Sequence, residues 1–465
     1  MKIILLSPPY LPEYMRNARC DFVSLSATQW YPVLLGYCGA YLEKRGHAVT
    51  LIDAPAHGYD HDMTFSMVKE GMPDLLVMYT GVMSEANDIA FADRLVDETG
   101  CKAVFVGPFA SIDPANVLSR SSRVDLLVQG EFEHPVAEIA DGAAYETIRN
   151  LIYKSDGSIR TNEVRPNLTG QQLDDIPFVS QFFNKQLDLK KYKTPSEYYP
   201  YMDILSGRGC KWGHCTYCLW VHTHIKGSQY NVRSVANVID EFRYIRREMP
   251  EVKSVMIQDD TFTEERAADI SEGLLAAGIK LPWSCYARAN MGGDVLRLMK
   301  KAGCRNLHVG YESASQTVLN RIKKGVSVEQ MIKFTQDAKR AGLRIHGDFA
   351  FGFPGETKED ALKTIDLAKR LKPHTAQFQL MIPFKGTPYY MDMAENGWLN
   401  DEGQPDMPGF SNDEIRQVAK KAYRSFYFSF DYILQSIAHP YDHVFGKLKT
   451  IQRAIPAMFW KKWNV

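Results

Sequence analysis

Eleven short apolar runs, each followed by a stretch of helical periodicity, constrain this chain more than any other feature. Five fall within residues 1–140: KIILLS, AVTLID, DLLVMYT, KAVFVG and VDLLVQG. They read as strands, and each ends in small or turn-forming residues. Strands alternating with helices in this way imply a parallel, doubly wound, Rossmann-like sheet with helices on both faces. Such sheets take their ligands at the carboxyl ends of the strands, where this chain has Pro8, Asp53, Thr80, Gly107, Gly130 and Glu131. No G-x-G-x-x-G follows the first strand, which disfavours a nicotinamide dinucleotide.

Residues 141–200 lose the alternation and read as a linker with some short pairing. From 201 the strand signal returns in MDILS, KSVMIQ, PWSCYA, NLHVGY, RIHGDFAF and TAQFQLMI. Between the first two, Val235, Val238, Ile239, Phe242 and Ile245 recur at helical spacing behind a Ser234 cap. Six βα units in succession suggest a partial (β/α)6 barrel over 201–395, its active site at the strand ends. Residues 396–465 carry no strand signal and read as a helical C-terminal segment. The expectation is therefore an α/β protein of two domains, which suits 465 residues.

Lys plus Arg equals Asp plus Glu at 55 each, so no global charge argues for a nucleic-acid partner. The opening MKIILLSPPY is too short for a signal peptide, and the longest apolar stretch, Tyr31 to Leu42, falls short of the ~20 residues that span a bilayer. The chain reads as cytoplasmic. Its end, FGKLKTIQRAIPAMFWKKWNV, interleaves five cations with Phe459, Trp460 and Trp463. Two readings stand: peripheral membrane contact, or a docked helix with a solvated basic face.

In a reducing compartment, cysteines are ligands, catalytic groups or core fillers more often than disulfides. Cys20, Cys38, Cys101, Cys285 and Cys304 are scattered and read as buried small hydrophobes. Cys210, Cys215 and Cys218 are not scattered: GRGCKWGHCTYC spaces them C-x4-C-x2-C on the loop leaving the first barrel strand. Zinc could take them with His214, His222 or His224 as fourth ligand in a colourless binding scaffold, though no second C-x-x-C is present. A 4Fe-4S cluster held by three thiolates would leave one iron open to a substrate-like ligand.

With an aromatic residue, Tyr217, just before the last cysteine, this loop on a six-unit barrel resembles the radical S-adenosylmethionine enzymes. That resemblance implies a 4Fe-4S cluster on Cys210, Cys215 and Cys218, an open iron that binds S-adenosylmethionine, and reductive cleavage to methionine and a 5'-deoxyadenosyl radical. The usual spacing is C-x3-C-x2-C, and the extra residue here bears on loop shape. The resemblance further implies that Asp259 and Asp260 hold the methionine amino group, and that Arg288 joins the site after the third strand. Glu312 and Ser313 would meet ribose and carboxylate, and Gly352, Pro354, Gly355 and Glu356 would lie by adenine. The register of those last glycines departs from the common pattern. A reductant such as flavodoxin or ferredoxin is expected. His346, His374 and Lys385 lie near strand ends, where substrate contact and core or loop roles both remain open.

The first domain resembles the cobalamin-binding domain of one branch of that family through SPPY, VGPFAS and VDLLVQGEFE. Pro8, Thr80, Gly107, Gly130 and Glu131 would then line the corrinoid. The D-x-H-x-x-G ligand motif has only the misspaced Asp53…His57-Gly58 as counterpart, so no protein histidine on the cobalt is expected, and the domain could also be an empty inherited shell. GRGCKWGHCTYCLWVHTH, VGYESASQTVLNRIKKG and AENGWL most resemble enzymes that rebuild polyol or sugar headgroups of membrane lipids. The expected function is rearrangement or cyclisation of such a headgroup, the alternative being cobalamin-dependent C-methylation.

Overall fold

The computed structural model describes residues 1–12, 14–16, 21–23 and 28–438. Seven strands build the first sheet: β1 (Lys2–Ser7), β2 (Ala48–Asp53), β3 (Leu75–Tyr79), β4 (Lys102–Val106), β5 (Leu126–Val128), β6 (Leu151–Ser155) and β7 (Ser158–Thr161). Their spatial order is β2-β1-β3-β4-β5-β6-β7. The first five run parallel, and β6 and β7 add an antiparallel hairpin at the edge. The 2-1-3-4-5 order is one of the doubly wound arrangements, with its switch point between β1 and β3. The sheet thus reaches Thr161, and the short pairing anticipated within 141–200 is this edge hairpin.

The apolar runs are unbroken because both faces of the sheet are covered. Ile3 and Leu5 of β1 enter one core while Ile4 and Leu6 enter the other, since successive strand side chains point to opposite faces. The first core is continuous with that of the barrel. Helix Val33–Lys44, buried at every position from Val33 to Leu42, packs against both the first sheet and helix Val179–Gln186. Just before and within it, Tyr31 Oη donates to Tyr201 O at 2.8 Å and Tyr37 Oη accepts from Leu205 N at 3.0 Å, tying the first domain to the start of the barrel.

The barrel strands are β8 (Tyr201–Ile204), β9 (Ser254–Phe262), β10 (Trp283–Ala287), β11 (Cys304–Glu312), β12 (Arg344–Phe351) and β13 (Thr375–Leu380), all parallel and adjacent in chain order. β8 and β13 do not pair, so the barrel is open on one side. Hydroxyl caps start the intervening helices: Ser234, Thr263, Ser327 and Thr357 each accept a first-turn backbone N–H. The open edge is covered by helix Asn412–Tyr427. Its Tyr427 Oη donates to Ala376 O at 2.7 Å and accepts from Ala376 N at 3.0 Å, satisfying edge groups that water or another strand would otherwise take.

The helical segment expected after 396 is present as Pro388–Glu395, just before it, then Asn412–Tyr427 and Phe430–Ala438. The basic, aromatic tail and Cys20 lie outside the described residues. Among the described residues no helix is long and apolar enough to cross a membrane. Cys38, Cys101, Cys285 and Cys304 are buried.

Candidate active site

After β8 the chain forms Gly207–Gly209, paired antiparallel with Tyr230–Val232, and this hairpin frames the loop that carries Cys210, Cys215 and Cys218. The floor of the loop is the segment after helix Gln316–Arg321. Thr216 N donates to Ile322 O at 3.1 Å and Trp212 Nε1 to Lys323 O at 2.8 Å, while Cys215 Sγ lies 3.8 Å from the same carbonyl. Gly325 sits at φ +68°, and a Cβ there would fall 2.1 Å from the Trp212 ring, so glycine is what lets the indole seat. Arg288 lies over that indole at 5.0 Å and donates to Lys324 O.

Burial pushes the Cys215 thiol up, with Lys324 and Arg288 pulling it back. Burial pushes Cys218 up to about 12, with Cys215, Asp260 and Cys210 adding to the effect. Cys218 therefore senses both other sulfurs and Cys215 senses Cys210, and Lys324 and Arg288 would offset thiolate charge at Cys215. Among the described residues no three His, Cys, Asp or Glu side chains converge to hold a single metal ion. His214 stands exposed near Ser228, His222 Nε2 lies 3.1 Å from Cys215 O, and His224 stacks on Trp220 at 4.0 Å. None completes a zinc tetrahedron with the thiols. Three thiols on one loop, with Lys324 and Arg288 beside Cys215 and no histidine in place as a fourth ligand, are the donor set that would hold an anionic cluster with one open iron.

Around this loop the barrel supplies a polar rim. Glu312 Oε1 accepts from Lys324 Nζ at 2.7 Å and from Tyr217 Oη at 3.0 Å. Burial lowers the Lys324 ammonium, but Glu312 and the Cys215 charge outweigh it, so the group is held above its ordinary value. Glu312 takes φ +65°, a strained setting for a side-chain-bearing residue at a strand end. Asp260 is partly exposed and accepts from Gly209 N at 2.8 Å, beside the first cysteine. Asp260, Arg288, Glu312 and Tyr217 thus stand around the cysteine loop, each tied to it or to the segment beneath it.

Other expected residues serve the scaffold. Asp259 is fully buried, with Ser206 N, Ser206 Oγ and Tyr230 Oη each 2.6 Å from its oxygens, so it braces the hairpin and has no reach to an amino group. Ser313 is fully buried, its hydroxyl accepting from Ser315 N at 3.1 Å near Thr364, away from the rim. Gly352 N donates to Glu356 Oε2 at 2.6 Å, and burial pushes that carboxyl up to about 8. His346 sits between Thr375 Oγ1 at 2.7 Å and Asp348 at 3.2 Å, His374 Nδ1 accepts from Ile345 N, and Lys385 is exposed.

The strand ends of the first sheet differ along its width. At the switch point Arg16 fills the space: it donates to Pro8 O, to Ser84 Oγ at 2.8 Å and to Asp88 Oδ1 at 2.6 Å, leaving a cavity of about 10 Å³. Thr80 Oγ1 donates to Val106 O at 3.0 Å, so its hydroxyl is also taken. At the β5 end a cavity of about 160 Å³ opens among Gln129, Gly130, Asn150, Asn167, His224 and Gln229, between the first sheet and the cysteine-loop hairpin. Gly107 and Gly130 have positive φ, and Cβ atoms there would come 3.1 Å from Thr80 O and 3.4 Å from His224 O. His224 is buried with neither ring nitrogen partnered, and burial drops it to about 3, so it is neutral. The Gly130 shoulder, an amide-rich lining and an orphaned imidazole fit one edge of a flat, amide-fringed cofactor such as a corrinoid, while Gly107 packs on Thr80 and Tyr79 outside the cavity. His57 Nδ1 instead lies 2.9 Å from Asp53 O, in its own helix.

Glu131 is not free for such a ligand. Its Oε1 accepts from Arg208 Nη1 at 2.9 Å and its Oε2 from Leu168 N at 2.6 Å, while Arg208 Nη2 donates to Glu133 Oε1 at 2.6 Å. All three charged side chains are buried. Arg208 stands two residues before Cys210, so two carboxylates of the first domain grip the start of the cysteine loop. Arg208 and Lys324 were missed from the sequence. The arginine between two glycines in GRGC and the paired lysines before Gly325 were the available signals, but both also read as ordinary turn cations.

Residues 204–368 match the radical SAM superfamily, SAM being S-adenosylmethionine. The chain is 30% identical over 453 residues, 92% of either chain, to an uncharacterized methyltransferase of Pyrococcus horikoshii. It is 26% identical to cytidylyl-2-hydroxyethylphosphonate methyltransferase of Streptomyces wedmorensis, covering 89% of this chain and 91% of the relative. Its fold is similar to that of the radical SAM methyltransferase TsrM of Kitasatospora setae, solved with cobalamin and a [4Fe-4S] cluster: TM-score 0.63 at 18% identity, over 85% of this chain and 75% of that one. A cobalamin-dependent radical enzyme, OxsB, gives TM-score 0.62 at 18% identity, and this chain spans 56% of it. The chain belongs to the radical SAM superfamily and is an enzyme of that class. The first three of these relatives carry methyl transfer in their names, and none carries the lipid-headgroup chemistry that the barrel motifs had suggested.

Proposed function

We propose that this enzyme is a cobalamin-dependent radical SAM methyltransferase acting on a carbon of a small molecule. One observation carries the reading: relatives described as methyltransferases align along nearly the whole chain, first domain included, so the sheet is matched together with the barrel. Arg208 joins the β5 end of that sheet to the cysteine loop, which supports a shared task for the two domains. When bound, the cluster supplies an electron to S-adenosylmethionine and the corrinoid supplies a methyl group. The residues of this chain hold and shape the site. Cys210, Cys215 and Cys218 would ligate the cluster. Asp260 and the Glu312–Lys324–Tyr217 group would orient the ends of S-adenosylmethionine, Arg288 would steady the loop floor through Trp212 and Lys324 O, and Gly130 and His224 would receive an edge of the corrinoid. A lipid headgroup remains one candidate acceptor, now for a methyl group.

The test is anaerobic reconstitution with iron, sulfide and hydroxocobalamin, then incubation with reductant and S-adenosylmethionine. 5'-Deoxyadenosine should form together with S-adenosylhomocysteine, and an accepting substrate should gain fourteen mass units, the mass of CH2. Changing all three cysteines to Ala should abolish 5'-deoxyadenosine. Formation of 5'-deoxyadenosine with a product of unchanged mass and no S-adenosylhomocysteine would restore the rearrangement reading.

A further inference from the structure

Helix Phe430–Ala438 docks by one side only. Tyr432 packs on Phe426 at 5.3 Å and Tyr427 at 4.8 Å, and Asp431 pairs with Lys372 at 3.0 Å. Its other side presents Phe430, Ile433, Leu434 and Ile437, which are 75, 45, 47 and 68% exposed. Their i, i+3, i+4, i+7 spacing makes one continuous apolar stripe in water. The other large exposed apolar side chains stand singly or as short neighbours along the chain, such as Leu11, Met63, Met72 and Met391. Single exposures are normal on a soluble surface, whereas a stripe marks a contact surface.

The sequence that follows says what kind of partner fits. Residues 439–465 hold five cations, Lys447, Lys449, Arg453, Lys461 and Lys462, against one acid, Asp442, in a chain whose 55 cations and 55 acids balance only overall. Phe459, Trp460 and Trp463 lie among those cations. An apolar helical stripe continued by a segment of cations and indoles matches an anionic bilayer surface, where headgroups meet the cations and the acyl boundary takes the apolar side chains. We infer that this C-terminal region binds anionic membrane surfaces, with the Phe430–Ile437 stripe as the part that enters the acyl boundary. The inference rests on no cofactor and stands apart from the proposed reaction.

The full-length protein is floated with phosphatidylcholine vesicles and with vesicles containing one-quarter phosphatidylglycerol. Binding should be at least tenfold stronger to the anionic vesicles and should fall at least tenfold between 50 and 500 mM salt. Ile433→Asp/Ile437→Asp should lose binding while keeping its circular dichroism spectrum, since both side chains already face water. Failure of the wild type to float, or equal binding by the double variant, overturns the inference. So does sedimentation as a dimer with no vesicle binding, which would give the stripe to a second copy of this chain. If deletion of 441–465 leaves binding to anionic vesicles unchanged, the cations have no part and the inference falls as well.

Discussion

The two parallel sheets end in opposite ways. At the barrel's carboxyl ends a cysteine loop is laid over a rim of Asp260, Arg288, Glu312 and Lys324, whose charges remain within reach of the thiols. At the first sheet the architectural rule points to the β1/β3 switch point, yet there Arg16 and Asp88 close the space, and the cavity lies three strands away beside Gly130. Shared topology fixes where a ligand can bind and leaves open which strand end is used. The residue that joins the two regions is Arg208, held by Glu131 and Glu133 of one domain and leading into Cys210 of the other.

The largest effect that could break this picture comes from that joint. Arg208→Met strands two buried carboxylates, and loss of one partner of a buried ion pair costs about 3–5 kcal/mol. Denaturant unfolding should show that loss, and the refolded protein should retain less iron per chain. Arg16→Met should cost a similar amount at the closed switch point but leave iron retention unchanged; if it strips iron equally, the two regions are not separable in this way. Gly325→Ala should come next, at about 2 kcal/mol for a side chain at positive φ, with added displacement of Trp212. Tryptophan fluorescence should report that displacement, and an unshifted spectrum would mean the loop floor tolerates a methyl group.

The effect that is smallest over any single pH unit lies at the seam. Asp203 accepts from Tyr31 N at 3.2 Å and from Gln258 Nε2 at 3.1 Å, and burial pushes it up to about 7. Between roughly pH 4 and 7 the folded chain keeps a proton that the unfolded chain has released, so stability falls as pH rises through that window. Asp203→Asn should flatten the fall by at most about 1.4 kcal/mol per pH unit. A slope unaltered in urea titrations at pH 5, 6 and 7 would place the proton elsewhere, with Glu197, also pushed up to about 7 by burial, the next residue to change.

Much of the site was legible because its residues follow strand ends. Once β9, β10 and β11 are recognised, Asp260, Arg288 and Glu312 must lie at one rim. The same logic misplaced Asp259, because neighbouring strand residues point opposite ways and only one of the two aspartates can face the rim. Asp259 turned to Ser206 and Tyr230. Glu131 was read as a ligand contact for a similar reason: a carboxylate at a strand end looks available until its partner, 77 residues away in sequence, is seen.

The sequence by itself determined the eleven strands, the parallel order they imply, and three thiols in one loop, since each rests on local periodicity or spacing. Only the tertiary structure decided which charges are spent on one another. Lys324 reaches Glu312 across a helix and a turn, Arg208 crosses between domains, and Arg16 seals the switch point. Pairings of that kind depend on distances closed by packing, and no period in the chain records them.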